Sequence, residues 1–147
     1  MEIFISDLDE TLLNAQARVS EYSKEILQNL IERGLCFTVA SARTPLSALC
    51  ILDGIPLSYP IILLNGGLIY DAEDKKVIKS YPILEASVNQ IIKAKSCYPK
   101  NYLFITEEEN GLSVTFSSKN STVWNKLIDF SYLEKNGIYI NIEFTCN

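Results

Sequence analysis

The sequence predicts an α/β chain: part of a doubly wound parallel sheet, followed by an α+β segment. Three observations carry this. Between residues 3 and 65, short apolar runs alternate with stretches of helical period, the order that builds parallel sheets with crossover helices. The apolar runs have no polar face, as strands covered on both sides do not. Near Tyr81-Pro82 the pattern changes to hairpins and strict apolar/polar alternation, which marks antiparallel strands with one open face.

Residues 3–8 read as a short buried strand. Ser20 precedes Tyr22, Ile26, Leu27, Leu30 and Ile31 at helical spacing, so it caps a helix that Gly34 ends, with Arg33 in the last turn. The run C-F-T-V-A-S (36–41) is a second buried strand. Thr44-Pro45 then reads as an N-cap and a proline at the first helical position, opening a helix to about Asp53, stopped by Gly54 and Pro56. A third strand, P-I-I-L-L-N (60–65), breaks at Gly66-Gly67. L-I-Y-D (68–71) and K-V-I-K-S-Y (76–81) flank A-E-D-K as a hairpin, and 84–97 is helical. Two strand-like runs, 102–106 and 112–116, surround the acidic E-E-E-N-G, a solvated hairpin tip. A helix-like stretch (122–133) precedes I-Y-I-N-I-E-F (138–144), whose alternation predicts a half-exposed antiparallel strand with Ile138, Ile140, Ile142 and Phe144 on one face. Two domains are expected, 1–81 and 82–147.

The 147 residues carry a net charge of −5 and no concentrated Lys/Arg stripe. A polyanionic nucleic acid would be repelled, so it is no expected partner. No apolar run approaches the roughly 20 residues of a membrane helix, and no signal peptide is visible. Four widely spaced cysteines, Cys36, Cys50, Cys97 and Cys146, read as small hydrophobes of a reducing cytoplasm. The chain has no histidine, which removes Ser-His-Asp, Cys-His and His-rich zinc chemistry from it.

In an open parallel sheet, ligands gather beyond the carboxyl ends of the strands. The first end carries Asp7 and Asp9, the second Ser41 with Arg43, and the third Asn65-Gly66-Gly67. Carboxylates, a hydroxyl, a cation and open backbone suit a phosphoryl group with Mg²⁺, which takes oxygen ligands and is typically held by one or two carboxylates and a phosphate oxygen. A divalent cation would also relieve the repulsion between Asp7 and Asp9. One carboxylate could attack phosphorus, and the other could protonate the leaving alcohol and later activate water.

These residues carry a resemblance. D-L-D-E-T-L-L (7–13) resembles the first motif of the haloacid dehalogenase superfamily, Asp-x-Asp-x-Thr after an apolar strand. Ala40-Ser41-Ala42-Arg43 resembles the Ala-Thr-Gly-Arg of its Cof-like phosphatase branch, and Asn65-Gly66-Gly67 the Asn-Gly turn of that branch. The resemblance implies a Rossmann-like core with an inserted, here incomplete, α+β cap. It implies Mg²⁺-dependent hydrolysis of small phosphorylated metabolites through an aspartyl-phosphate. Asp7 would be nucleophile and metal ligand. Asp9 would be the acid/base and a metal ligand through its carbonyl. Thr11 would shape the loop and Ser41 bind phosphate, with Arg43, Asn65 and Gly66 toward the substrate.

The family pattern also needs a downstream lysine and a Gly-Asp-x-x-x-Asp-like motif. No Gly-Asp pair occurs, and Lys119, Lys126 and Lys135 fall in the cap-like segment. The expectation is therefore the N-terminal portion of a longer phosphatase, with an open sheet edge through which it could self-associate. The alternative is an inactive or merely phosphate- and metal-binding module. A receiver-type phosphoacceptor fits worse, because the third strand ends in Asn65 rather than an aspartate.

Overall fold

The computed structural model describes residues 2–97, 103–108, 111–116 and 141–144. The chain divides into two compact units, Met1–Tyr81 and Pro82–Asn147.

The first unit begins with β1 (Phe4–Ser6), which runs parallel to β2 (Phe37–Val39) with Phe4 opposite Phe37 and Ser6 opposite Val39. Between them lies α1 (Glu21–Glu32). The Ser20 hydroxyl accepts the Ser23 N–H at its start, and Gly34, at φ +99°, turns the chain out of it, a conformation glycine adopts at little cost. Thr44 caps α2 (Pro45–Ile51) in the same way, through the Ser47 N–H. The third strand, β3 (Ile61–Leu63), joins the end of β2 by a parallel bridge between Ala40 and Ile62. It then pairs antiparallel with β4 (Leu68–Asp71), itself antiparallel to β5 (Lys76–Ser80). The expected parallel order and hairpin are both present.

The core lies around β2, α2 and β3. Val39, Ile61 and Leu63 are fully buried, with Leu46, Ala48, Leu49, Leu52, Leu68 and Tyr70 around them. Thr38 is the buried polar exception on β2, and its hydroxyl donates to the Pro60 carbonyl at 2.7 Å, as a buried polar group must find a partner.

The first strand corrects an expectation. β1 is not buried: Phe4 is 56% exposed and Ile5 55%. Its one strand partner among the described residues is β2, so half its polar edge and much of both faces meet water. The apolar stripe of α1 is open for the same reason. No residue of α1 is buried, and Tyr22 is 75% exposed. Strands are also shorter than the apolar runs that announced them. The chain leaves the sheet at Asp7 because the Asp7 side chain turns back onto the main chain. Helix α2 ends two residues early, at Ile51, where the Leu52 N–H on the Ala48 carbonyl closes its last turn.

The second unit contains α3 (Glu85–Cys97) and a sheet of β6 (Leu103–Glu108), β7 (Gly111–Phe116) and β8 (Asn141–Phe144). β6 and β7 form an antiparallel hairpin. β8 runs parallel to β7, not antiparallel as alternation suggested. Alternation reports a half-buried strand and carries no direction, since direction is set by the connection between strands. The helix expected at 122–133, and Ile138 and Ile140, lie outside the described residues.

Replacing fully buried Leu63 by alanine is expected to destabilise the first unit by about 2–5 kcal/mol, while Ile78→Ala, on the half-exposed β5, costs under about 1 kcal/mol. Urea denaturation followed by circular dichroism checks this through the midpoint at unchanged slope.

Candidate active site

Beyond the end of β1 the chain makes one wide turn. Leu13 donates its N–H to the Leu8 carbonyl at 2.9 Å, and Leu8 and Leu13 are both buried. These two leucines pin the ends of the turn in the core and leave Asp9, Glu10 and Thr11 exposed between them. Glu10 sits at φ +58°, a left-handed conformation uncommon for a non-glycine residue. Asp7 begins the turn as its cap: one carboxylate oxygen accepts the Leu8 N–H at 2.7 Å. The Thr11 hydroxyl makes no hydrogen bond among the described residues.

The other two strand ends are bound to this one through main chain. Ala40 N–H donates to the Ser6 carbonyl at 2.9 Å, tying the end of β2 to the end of β1. Ser41 N–H donates to the Ile62 carbonyl at 2.9 Å, tying β2 to β3. The loops beyond are joined as well, with Leu64 N–H on the Arg43 carbonyl and Asn65 N–H on the Ser41 carbonyl, both at 3.2 Å. Leu64, Asn65 and Gly66 all have left-handed backbone, at φ +52°, +56° and +88°. A Cβ on Gly66 would meet nothing within 4 Å, so it is the dihedral rather than space that favours glycine there.

Ser41 is buried, and its hydroxyl accepts the Arg43 N–H at 3.2 Å. A hydroxyl can donate as well as accept, and among the described residues no acceptor takes the Ser41 proton. Arg43 reaches back across the site. Its Nε donates to one Asp9 oxygen at 2.9 Å and its Nη2 to the other at 2.6 Å, while Nη1 donates to the Ser47 hydroxyl at 2.8 Å. This is a two-pronged guanidinium–carboxylate pair, partly open to water, with the Asp9 side chain 50% exposed and Arg43 20%. The hydrogen bonds from Arg43, with its charge, hold the Asp9 carboxyl below the ordinary range, against a smaller opposing effect of burial.

The sequence thus brings Asp9, Ser41, Arg43 and Asn65 into one hydrogen-bonded constellation, with Asp7 at its root and Gly66 beside Asn65. Ser47 was not foreseen as part of it. The available signal was its position four residues after Arg43 and three after the Thr44 cap, on the first turn of α2, within reach of both. A cavity of ≈ 330 Å³ lies beside the turn, lined by Asp9, Glu10, Leu13, Asn14, Ala15 and Ala17. Of the site residues, Asp9 alone opens onto it.

For a metal ion, the described residues offer no group of three or more His, Cys, Asp or Glu. Asp7 retains a second carboxylate oxygen with no hydrogen bond among the described residues, and Asp9 has a backbone carbonyl. Both Asp9 carboxylate oxygens are taken by Arg43. Two oxygen donors are a partial fit to Mg²⁺, which keeps several waters and is satisfied with few protein ligands.

The family model for haloacid dehalogenase-like hydrolases matches residues 4–143. The chain belongs to that family. It is similar to a provisionally named phosphatase of Buchnera aphidicola, 30% identical over 155 residues, covering 98% of this chain and 55% of the relative. It is also 27% identical over 104 residues to the 5-amino-6-(5-phospho-D-ribitylamino)uracil phosphatase of Bacillus subtilis, covering 69% of this chain and 36% of that enzyme. Among solved structures, a haloacid dehalogenase-like hydrolase from Bacteroides thetaiotaomicron superposes with TM-score 0.73 at 19% identity, covering 99% of this chain and 52% of its own. The chain thus spans about half the length of such relatives. Family membership and the α/β fold are established for this chain, and no described helix is long and apolar enough to cross a membrane.

Replacing Arg43 by alanine is expected to return the Asp9 carboxyl upward to the ordinary range, read by its carbon resonance in an NMR titration. A carboxyl depressed in the folded chain adds stability above its unfolded pKa and loses it as pH falls through the folded value. The unsubstituted chain should therefore lose slightly more stability than Arg43→Ala between neutral and strongly acidic pH. The difference should be at most about 1 kcal/mol, because water screens so exposed a pair.

Proposed function

We propose that this chain carries the phosphoryl-transfer half of an Mg²⁺-dependent phosphatase acting on small phosphorylated metabolites in the cytoplasm, residues 82–147 contributing part of an α+β cap. The observation that carries this reading is the hydrogen-bonded joining of three strand ends, which gathers Asp7, Asp9, Ser41 and the Asn65-Gly66 turn. The buried Ser41 hydroxyl, with a proton to give, supports an anionic oxygen as its acceptor. The Bacillus relative, named for a phosphorylated ribityl compound, supports the substrate class.

In this reading the free oxygen of Asp7 attacks phosphorus and the bond to the substrate's alcohol oxygen breaks. Asp9, which first takes up a proton from solvent, gives it to that departing oxygen, leaving the phosphoryl group as an acyl phosphate on Asp7. Asp9 then takes a proton from water, whose oxygen attacks phosphorus and frees Asp7 and inorganic phosphate. Ser41 donates to a phosphoryl oxygen, with Asn65 toward the substrate. Mg²⁺, held by Asp7 and the Asp9 carbonyl, would supply the positive charge that lets two anions approach.

The relatives' additional length is where a lysine and a second acidic motif would be expected, so this chain alone should turn over slowly. Exposure of β1 and of the α1 stripe favours a second reading as well: a phosphate-binding module that associates with itself through that surface.

Phosphate release from a generic phosphomonoester is expected to require Mg²⁺ and to fall by at least about 100-fold in Asp7→Asn; equal rates with and without metal and in the variant would refute hydrolysis by this chain. For the second reading, sedimentation should show a dimer at micromolar concentration that Phe4→Lys weakens by at least about tenfold.

A further inference from the structure

In the arrangement described both Asp9 carboxylate oxygens accept from Arg43, so the carboxyl faces the fork rather than a leaving oxygen or water. Nor is the Arg43 fork free to meet a substrate: its Nε and Nη2 both face Asp9, while one Nη1 proton goes to Ser47. Each residue occupies the other. A bidentate guanidinium fork fits a phosphoryl group as well as it fits a carboxylate.

We infer that the Arg43–Asp9 pair is an exchange latch, in which the entering phosphomonoester dianion replaces Asp9 on the Arg43 fork and so releases the Asp9 carboxylate. This rests on the phosphoryl-site reading and adds a role for Arg43 that geometry alone assigns. The main chain of Arg43 is fixed on both sides, its N–H on the Ser41 hydroxyl and its carbonyl taking the Leu64 N–H. The exchange therefore needs only side-chain movement, at one end of an ion pair that is partly exposed already. Ser47 keeps hold of Nη1, so the fork turns about a tether within reach of the loop that carries Ser41. In the resting site the latch keeps the Asp9 carboxylate occupied; with the dianion bound, Asp9 is free to meet the substrate's leaving oxygen or water.

The test uses the whole chain, inorganic phosphate as the probe, fixed neutral pH, and no turnover. Phosphate should move the Ser41 and Asn65 amide resonances, and at saturation it should move the Asp9 carboxyl carbon resonance to the position it has in Arg43→Ala. Asp9→Asn, nearly the same shape, should bind phosphate about two- to fivefold more tightly, as expected when a competing surface ion pair is removed. In an Arg43→Ala background most of that gain should vanish, because the fork for which Asp9 and phosphate compete is then gone. If the Ser41 amide reports binding while the Asp9 carboxyl stays put, or if the gain from Asp9→Asn is the same with and without Arg43, the latch is refuted and Arg43 is a fixed clamp. If neither amide moves at any phosphate concentration, the phosphoryl-site reading fails first and the latch with it.

Discussion

The main-chain hydrogen bonds that join the ends of β1, β2 and β3 are what the candidate site rests on. Ala40 on Ser6, Ser41 on Ile62 and Asn65 on Ser41 bind strand to strand and then loop to loop. Because these are backbone contacts, they place the side chains of Asp7, Ser41 and Asn65 without depending on the identity of those side chains. Side-chain chemistry can then be spent on ligands. Ser41 illustrates this: its N–H completes the strand junction, and its hydroxyl proton remains to be given. The same junction holds only as well as the core behind it, where Val39, Ile61 and Leu63 are fully buried.

Two carboxylates one residue apart at a strand end begin as an electrostatic liability. The structure deals with them separately. Asp7 turns into the main chain and caps the turn it opens, while Asp9 is drawn away to Arg43 on the neighbouring loop. The anchoring of the turn is apolar, through Leu8 and Leu13, so the exposed residues between them are free of structural duty. Charge is thus balanced across loops, and position is set by burial.

Much of this was legible in the sequence, and for identifiable reasons. The alternation of apolar runs with helical periods gave the parallel order; Ser20 and Thr44-Pro45 marked helix starts with local chemistry that operates regardless of context. Motif spacing placed Asp7, Ser41 and Asn65 at successive strand ends. What was misjudged depended on neighbours. An apolar run such as Ile3-Phe4-Ile5 states that a strand can be buried, not that anything covers it, and here the strand is largely exposed. The alternation of residues 138–144 could not reveal that β8 runs parallel to β7. The Arg43–Asp9–Ser47 contacts arise between loops distant in sequence, and no period or spacing encodes a side-chain fork crossing from one loop to another.

The left-handed run Leu64-Asn65-Gly66 does more than present an amide. It reverses the chain between β3 and β4 in so few residues that it also sets the phase of the returning strand. Leu68 and Tyr70 point to the core, while Ile69 and Asp71 are only half-buried. Side chains in a strand alternate faces, so one residue added or removed in this turn would swap those sets and carry Asp71 inward. Length, more than residue identity, is therefore what this segment cannot vary: a substitution there would cost strain, but an insertion or deletion of one residue would unmake the inner face of the hairpin.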